Sequence, residues 1–322
     1  MRQLLVVGGG IAGLQAALAA GRAGAQVLVL EQAAHWGGRA PVDGDVIDGK
    51  PADAWVKDAL EALGGMANVT LRNRTTGAGV YDHGYVLADE KVADHTPGDG
   101  RPKHRLWRIR AGKIITAAGA IERPLSFAGN DIPGVMLASA VRDYVVNWAV
   151  SPGDRTVIVT NNDDAYRTAI ALKEAGLAVP AIIDARANVT GELPAKARAL
   201  GIRVEAGRGI AKVKGGKRVT GVSICLQAGE GAVIDEIACD AVAMSGGWSP
   251  VVHLFSHCGG KLVWDNGNAH FRPDANRPPL NHDGEAMVYA AGNSNGAMSA
   301  AAALEDADAQ ARLAVAALGA KP

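Results

Sequence analysis

The chain has 322 residues, enough for about two domains and a core burying roughly three-quarters of the unfolded surface. Lysine plus arginine equal aspartate plus glutamate at 33 each, so no excess positive field exists to hold nucleic acid or an anionic membrane surface. Glycine reaches 41 residues while aromatics make up 4%, which suits an α/β nucleotide fold and disfavours an all-β binding module.

The chain opens with an apolar β run, Leu4 to Val7, that breaks into Gly8-Gly9-Gly10-Ile11-Ala12-Gly13 and then an alanine-rich helical segment. This is the G-x-G-x-x-G fingerprint in its proper setting. Gly8 permits the sharp turn out of the strand, Gly10 lets backbone approach a pyrophosphate, and Gly13 lets the helix pack closely on the strand. A helix starting there aims unpaired N–H groups and its positive dipole end at phosphate. A second strand, Gln26 to Leu30, ends at Glu31, eighteen positions beyond Gly13, where a carboxylate can grip the adenosine ribose and repel a 2′-phosphate. The competing explanation is a glycine-rich turn in an ordinary βαβ unit. The same N-terminus superficially imitates a secretory signal, but three consecutive glycines would weaken a signal helix by about 1 kcal/mol each.

Next come Ala34-His35-Trp36-Gly37-Gly38-Arg39, whose paired glycines can bring backbone N–H groups to the cofactor and whose arginine can add a charge-assisted bond; a solvent loop is the alternative. Ala52 to Leu63 reads as an amphipathic helix stopped by Gly64-Gly65, and Val69 to Leu71 as a short strand. Tyr81 to Leu87 and Leu106 to Ile109 read as further strands flanking a polar loop, Asp94 to Lys103, together forming a small antiparallel insert. Lys113 to Ala120 is a buried strand whose small-residue end, including Ala118 and Gly119, passes beneath a bound dinucleotide.

From Pro152 the first architecture repeats: strand Thr156 to Val159, helix Ala165 to Ala175 ended by Gly176, strand Val179 to Ile183 ending at Asp184. Its phosphate loop reads Thr160-Asn161-Asn162-Asp163-Asp164, so side chains fill the space of a pyrophosphate and two carboxylates oppose its charge, a cost of several kcal/mol at close range. A nicotinamide dinucleotide is therefore not expected there. Gly246 to Pro250 reads as the turn back to the first domain, with Trp248 either covering a cofactor or filling the core. Val288 to Asn293 makes a last strand, running through Met298 into a long alanine-rich helix that reaches Leu313.

These segments resemble the dinucleotide-binding region of the α subunit of heterotetrameric sarcosine oxidase and its amine-dehydrogenase relatives. The likeness rests on Val46 to Pro51, Gly79 to Val86, Gly119 to Leu125, Gly134 to Ala140 and Thr160 to Asp163, and it covers nearly the whole chain. It implies an α/β fold of two Rossmann-like dinucleotide-binding domains in a glutathione-reductase-like arrangement, the second inserted in the first: 1–122 with 246–322, and 123–245. It further implies NAD at the first fingerprint, FAD and the amine-oxidising site on a β-type subunit, FMN between the two, and a secondary amine such as sarcosine as substrate. Family α subunits also carry an N-terminal extension and a C-terminal folate-binding domain that this sequence does not show, so folate chemistry is not carried over.

The residues assigned to NAD, or alternatively FAD, are Gly8, Gly10, Ile11, Ala12, Gly13, Glu31, Gln32, Gly38, Arg39, Ala118, Gly119, Gly292, Asn293 and Met298. Asn293 stands where flavoproteins of this fold carry an acid, so a flavin would be held differently. The rival function is a self-sufficient FAD enzyme taking hydride from NAD(P)H, which needs a working second phosphate loop; a third is a nucleotide-binding subunit without redox chemistry. His35 and His83 are candidate proton carriers, but loop histidines are more often structural. His253, His257 and Cys258 suggest a metal trio, yet an i, i+4 histidine pair is common by chance and no metal is assigned. No serine or cysteine triad is evident, and catalytic residues stay unassigned. Cys225, Cys239 and Cys258 form no C-x-x-C, which excludes a thioredoxin-reductase-like dithiol and points to a cytoplasmic protein; no apolar run reaches the roughly 20 residues of a membrane span.

Overall fold

A computed structural model describes residues 2–96, 98–226 and 232–319. Met1, Pro97 in the expected Asp94 to Lys103 loop, and the last three residues of the expected first domain lie outside them. The chain forms two compact units, Met1–Ile121 with Ser249–Pro322 and Glu122–Trp248.

In the first unit the parallel strands run in the order Val69–Arg72, Val27–Leu30, Arg2–Val7, His104–Thr116, with Val288–Ala290 on the far side of the last. Leu4 to Val7 are all buried, as a central parallel strand covered on both faces requires. Leu4 and Val6 face the helices Ile11–Arg22, Ala52–Gly64 and Ala300–Ala317, while Leu5 and Val7 face an antiparallel layer with Val80, Val86 and Ile109. Alanine builds the helical side: Ala16, Ala17 and Ala20 of the first helix and Ala303, Ala307 and Ala311 of the last share one core. Small side chains let these helices approach closely.

Three expectations need correction here. Tyr81 to Leu87 is no single strand: Thr75–Tyr81 and Tyr85–Lys91 form a hairpin around a turn at Asp82–Gly84, where His83 has φ 59°. Leu106 to Ile109 and Lys113 to Thr116 are parts of one 13-residue strand, His104–Thr116, and the expected strand's end at Ala120 falls instead in the short strand Ala120–Glu122. Its first half pairs antiparallel with Tyr85–Lys91 and its second half pairs parallel with Arg2–Val7, so one segment serves two layers with different burial patterns. The last strand stops at Ala290, and a 3-10 turn, Gly292–Asn295, precedes a helix that starts at Ala300 and continues to Ala317.

The second unit repeats the plan. Its parallel sheet runs Val135–Leu137, Ala241–Ser245, Thr156–Thr160, Ala181–Asp184, Arg203–Ala206, and it carries an antiparallel sheet of Arg208–Gly215, Val219–Leu226 and Asp235–Ile237. The helices Ala138–Trp148 and Asp164–Glu174 cover its parallel sheet on a core of Val141, Ile158, Ala169, Leu172, Ile182 and Ala243. Among the described residues, no helix is long and apolar enough to cross a membrane.

Candidate dinucleotide-binding site

The first strand ends at Val7, whose carbonyl accepts the Ala117 N–H at 2.8 Å, and the backbone turns at Gly8 with φ +115°. A Cβ there would collide with the Ala117 carbonyl, so only glycine makes this turn. A Cβ on Gly13 would collide with the Gly8 carbonyl, which fixes how closely helix and strand pack. Gly10 differs: a Cβ there would meet only the Gly38 Cα, at 3.8 Å. It is the N-cap of the first helix and offers no side-chain cap; no acid occupies the first turn. The first N–H groups of Ile11, Ala12 and Gly13 thus form an uncapped donor set of the kind that takes a pyrophosphate.

Three further segments meet this turn. The Gly37 N–H donates to the Gly9 carbonyl at 2.8 Å and Gly37 bridges Gly10, so the paired-glycine loop lies directly on the fingerprint. Glu31, 7% exposed, accepts the Gly9 N–H at 2.6 Å and the Ala33 N–H at 2.7 Å, one on each carboxylate oxygen. It therefore braces the loop, and each oxygen keeps a second lone pair for a ribose hydroxyl. Gly292, with φ +65°, packs so tightly on the first helix that a Cβ would reach the Ala12 Cβ at 2.5 Å. Gly119 is held by Val251 N–H and Ser294 Oγ–H, both donating to its carbonyl, at 2.9 and 3.2 Å.

Gly8, Gly10, Ala12, Gly13, Glu31, Gly38 and Gly292 are thus gathered at one place, with Ile11 in the first helical turn and Ala118 following the Ala117 that Gly8 abuts. Other assigned residues are less engaged. Arg39 pairs with Asp43 at 2.8 Å, Gln32 is exposed, and Asn293 and Met298 are half-buried. Sequence reasoning missed Asp306, which accepts the Gly292 N–H at 2.8 Å and the Asn295 Nδ2 at 2.9 Å and so ties the 3-10 turn to the last helix. It also assigned no role to Trp36 beside the fingerprint, although a Cβ on Gly9 would strike its ring.

The corresponding loop of the second unit is built from side chains. Asn162 Nδ2 donates to the Ser245 carbonyl and hydroxyl at 3.2 and 3.1 Å, and its Oδ1 accepts the Asp164 N–H at 3.0 Å. Arg142, 1% exposed, donates to the Asp164 carbonyl at 2.9 Å and to both its carboxylate oxygens at 3.2 and 3.0 Å. Arg186 reaches Asp163 at 2.7 Å and Asp184 at 2.8 Å. Asp184 is fully buried and also accepts the Tyr166 hydroxyl at 2.8 Å. Burial and that carboxylate push the Tyr166 hydroxyl far above its ordinary range, and the Asp184 hydrogen bonds hold the Arg186 guanidinium firmly charged. Glu122, 3% exposed, accepts the Ser139 N–H at 2.8 Å; burial raises its carboxyl above the usual range, and Asp164 adds to the rise.

Other candidates take structural positions. His83 sits in the hairpin turn, and the His257 ring packs edge-on against Tyr81 at 5.2 Å. Among the described residues, no group of three or more His, Cys, Asp or Glu is placed to hold a metal. Burial pushes the thiols of Cys239 and Cys258 up to about 11, which leaves them unreactive at neutral pH.

A doubly repeated α/β unit with an open glycine loop at the first strand defines a dinucleotide-binding oxidoreductase fold. The chain belongs to the pyridine nucleotide-disulphide oxidoreductase family, whose sequence profile matches residues 2–307. It is similar to sarcosine oxidase subunit alpha from Rhizobium meliloti (strain 1021), at 43% identity over 270 residues, covering 83% of this chain and 26% of that protein. The subunit of the same name from Corynebacterium sp. (strain U-96) is 36% identical over 314 residues, covering 94% of this chain and 31% of its own. The chain thus spans about a quarter to a third of the length of these relatives. Thioredoxin reductase from Lactococcus lactis shares the fold, with a TM-score of 0.74 at 19% identity over 99% of both chains.

Proposed function

We propose that this chain is the dinucleotide-binding module of an amine-oxidising flavoprotein of the sarcosine oxidase type. In this assignment NAD lies across Gly8, Gly10 and Gly13, with its adenosine ribose at Glu31. A β-type subunit carries the flavin that oxidises a secondary amine such as sarcosine, and FMN sits where the two subunits meet. The similarity to subunits named sarcosine oxidase alpha supports the reaction class and the need for a partner. Three free thiols support a cytoplasmic setting.

The observation that carries the cofactor assignment is the uncapped first turn of the Ile11–Arg22 helix, free of acids and walled by glycine. When bound, NAD would supply an adenine dinucleotide anchor, and a redox centre only if its nicotinamide meets a flavin. The chain's own contribution is to bind and orient it: helix N–H groups meet the pyrophosphate, Gly10 and Gly38 let it approach, and Glu31 holds the loop. Asn293 supports NAD over FAD, since it brings no charge to where flavoproteins of this fold place an acid.

Denaturing the purified full chain tests this by what it releases. NAD near one equivalent, without flavin absorption, is the expected result. One equivalent of flavin without NAD would establish the rival stand-alone FAD enzyme, and a chain that neither carries nor takes up NAD would refute the assignment.

A further inference from the structure

The family to which the chain belongs implies a pyridine nucleotide in the second unit, and the residues there do not fit one. We propose that this crevice is occupied by the chain's own side chains: the carboxylates of Asp163 and Asp164, clamped by Arg186 and Arg142, take the place of a pyrophosphate. One chain accordingly binds no more than one dinucleotide, and no hydride from NADH or NADPH enters through the second unit.

Each feature a dinucleotide needs is already consumed. Where the first unit leaves a gap at its N-cap Gly10, the second has Asp163, and the Asn162 before it spans with its amide from the loop to Ser245 on the neighbouring strand. The first N–H of the Asp164–Glu174 helix is taken by Asn162 Oδ1 rather than left for phosphate. The positive end of that helix faces two carboxylates of its own, at the N-cap and the first helical position. The arginines that would otherwise attract an anion are engaged: Arg142 is buried against both oxygens of Asp164, and Arg186 bridges Asp163 and Asp184. Asp184, the acid that ends the Ala181–Asp184 strand of this unit, is fully enclosed by Tyr166 and Arg186 and presents nothing to a ribose. Phosphate could enter only by displacing Asn162 and standing beside two like charges.

The proposal does not depend on NAD being the ligand of the first unit. Its test is a titration of the purified full chain with NADH and, separately, NADPH to millimolar concentration, followed by photolabelling with an azidoadenine analogue of NAD and peptide mapping. At most one equivalent is expected, with any competable adduct in the segment 8–38. Two equivalents, or a single one whose adduct falls within 156–186 and is competed by NADH or NADPH, would overturn it. Zero equivalents taken up by a chain first stripped of any copurified nucleotide would leave this proposal standing while removing the NAD assignment above.

Discussion

Two helices in this chain begin at the carboxyl end of a buried parallel strand, and they treat their first N–H groups in opposite ways. Ile11–Arg22 starts from glycine with no acid and no cap, whereas Asp164–Glu174 starts from two aspartates and accepts a cap from Asn162. The strands behind them are alike: Leu4 to Val7 and Thr156 to Thr160 are fully buried and paired in parallel on both sides. Fold and ligand capacity are therefore separable. Apolar strands and small-residue helices build the unit, and a handful of loop side chains decide whether its crevice is open. An open crevice leaves donors to be satisfied by a ligand; a closed one satisfies them internally and needs buried arginine to offset the added acid.

The largest expected effect lies at that arginine. Arg142→Ala should destabilise the chain by about 3 kcal/mol, because it strips the clamp from Asp164 and leaves a void where a nearly inaccessible side chain stood. Thermal unfolding with a melting temperature equal to the parent's would refute the idea that the second crevice is held shut by charge. On the open side, Glu31→Ala should cost about 1–3 kcal/mol of dinucleotide affinity and some stability as well, since the Gly9 and Ala33 N–H groups lose their acceptor. Calorimetry with unchanged affinity would reject the proposed ribose contact. Gly10→Ala should fold normally, its Cβ meeting only Gly38, yet lose about 1–2 kcal/mol of dinucleotide affinity, roughly a tenfold change. A loss of stability without a loss of affinity would reverse the roles given to Gly10 and Gly13.

A smaller effect sharpens the account of the closed side. The Glu122 carboxyl sits above its ordinary value of 4.5 in the folded chain, so the native state keeps a proton that the unfolded state releases. Its contribution is complete below that ordinary value and is lost as pH rises through the raised one. Glu122→Gln should remove this slope and stabilise the chain at neutral pH relative to the parent. Melting temperatures compared from mildly acidic to neutral pH decide it, and parallel curves would show that Glu122 does not titrate with folding.

The open crevice was legible in the sequence because its chemistry is local: glycine at three fixed positions and an acid at the end of the next strand. The closed crevice was half legible. Asn161 to Asp164 announce that no pyrophosphate is welcome, but Arg142 and Ser245 come from distant segments, and nothing local marks them as partners of Asp164 and Asn162. The long His104–Thr116 strand reads as two because its alternating exposed half and its mostly buried half show different periodicities. The Asp82-His83-Gly84 turn carried a usable signal in its turn-forming residues, which the flanking tyrosines and valines outweighed. The late start of the last helix was also readable: Ser299 caps the Ala302 N–H, and Gly296 at φ +93° breaks the run before it.

Amide hydrogen exchange of the full chain, with and without saturating NAD, tests the contrast between the two loops most directly. Slowed exchange in the Gly8 to Leu14 segment, with the Thr160 to Tyr166 segment unchanged, is the pattern this account predicts. Protection of Thr160 to Tyr166 with none at the first helix would contradict it.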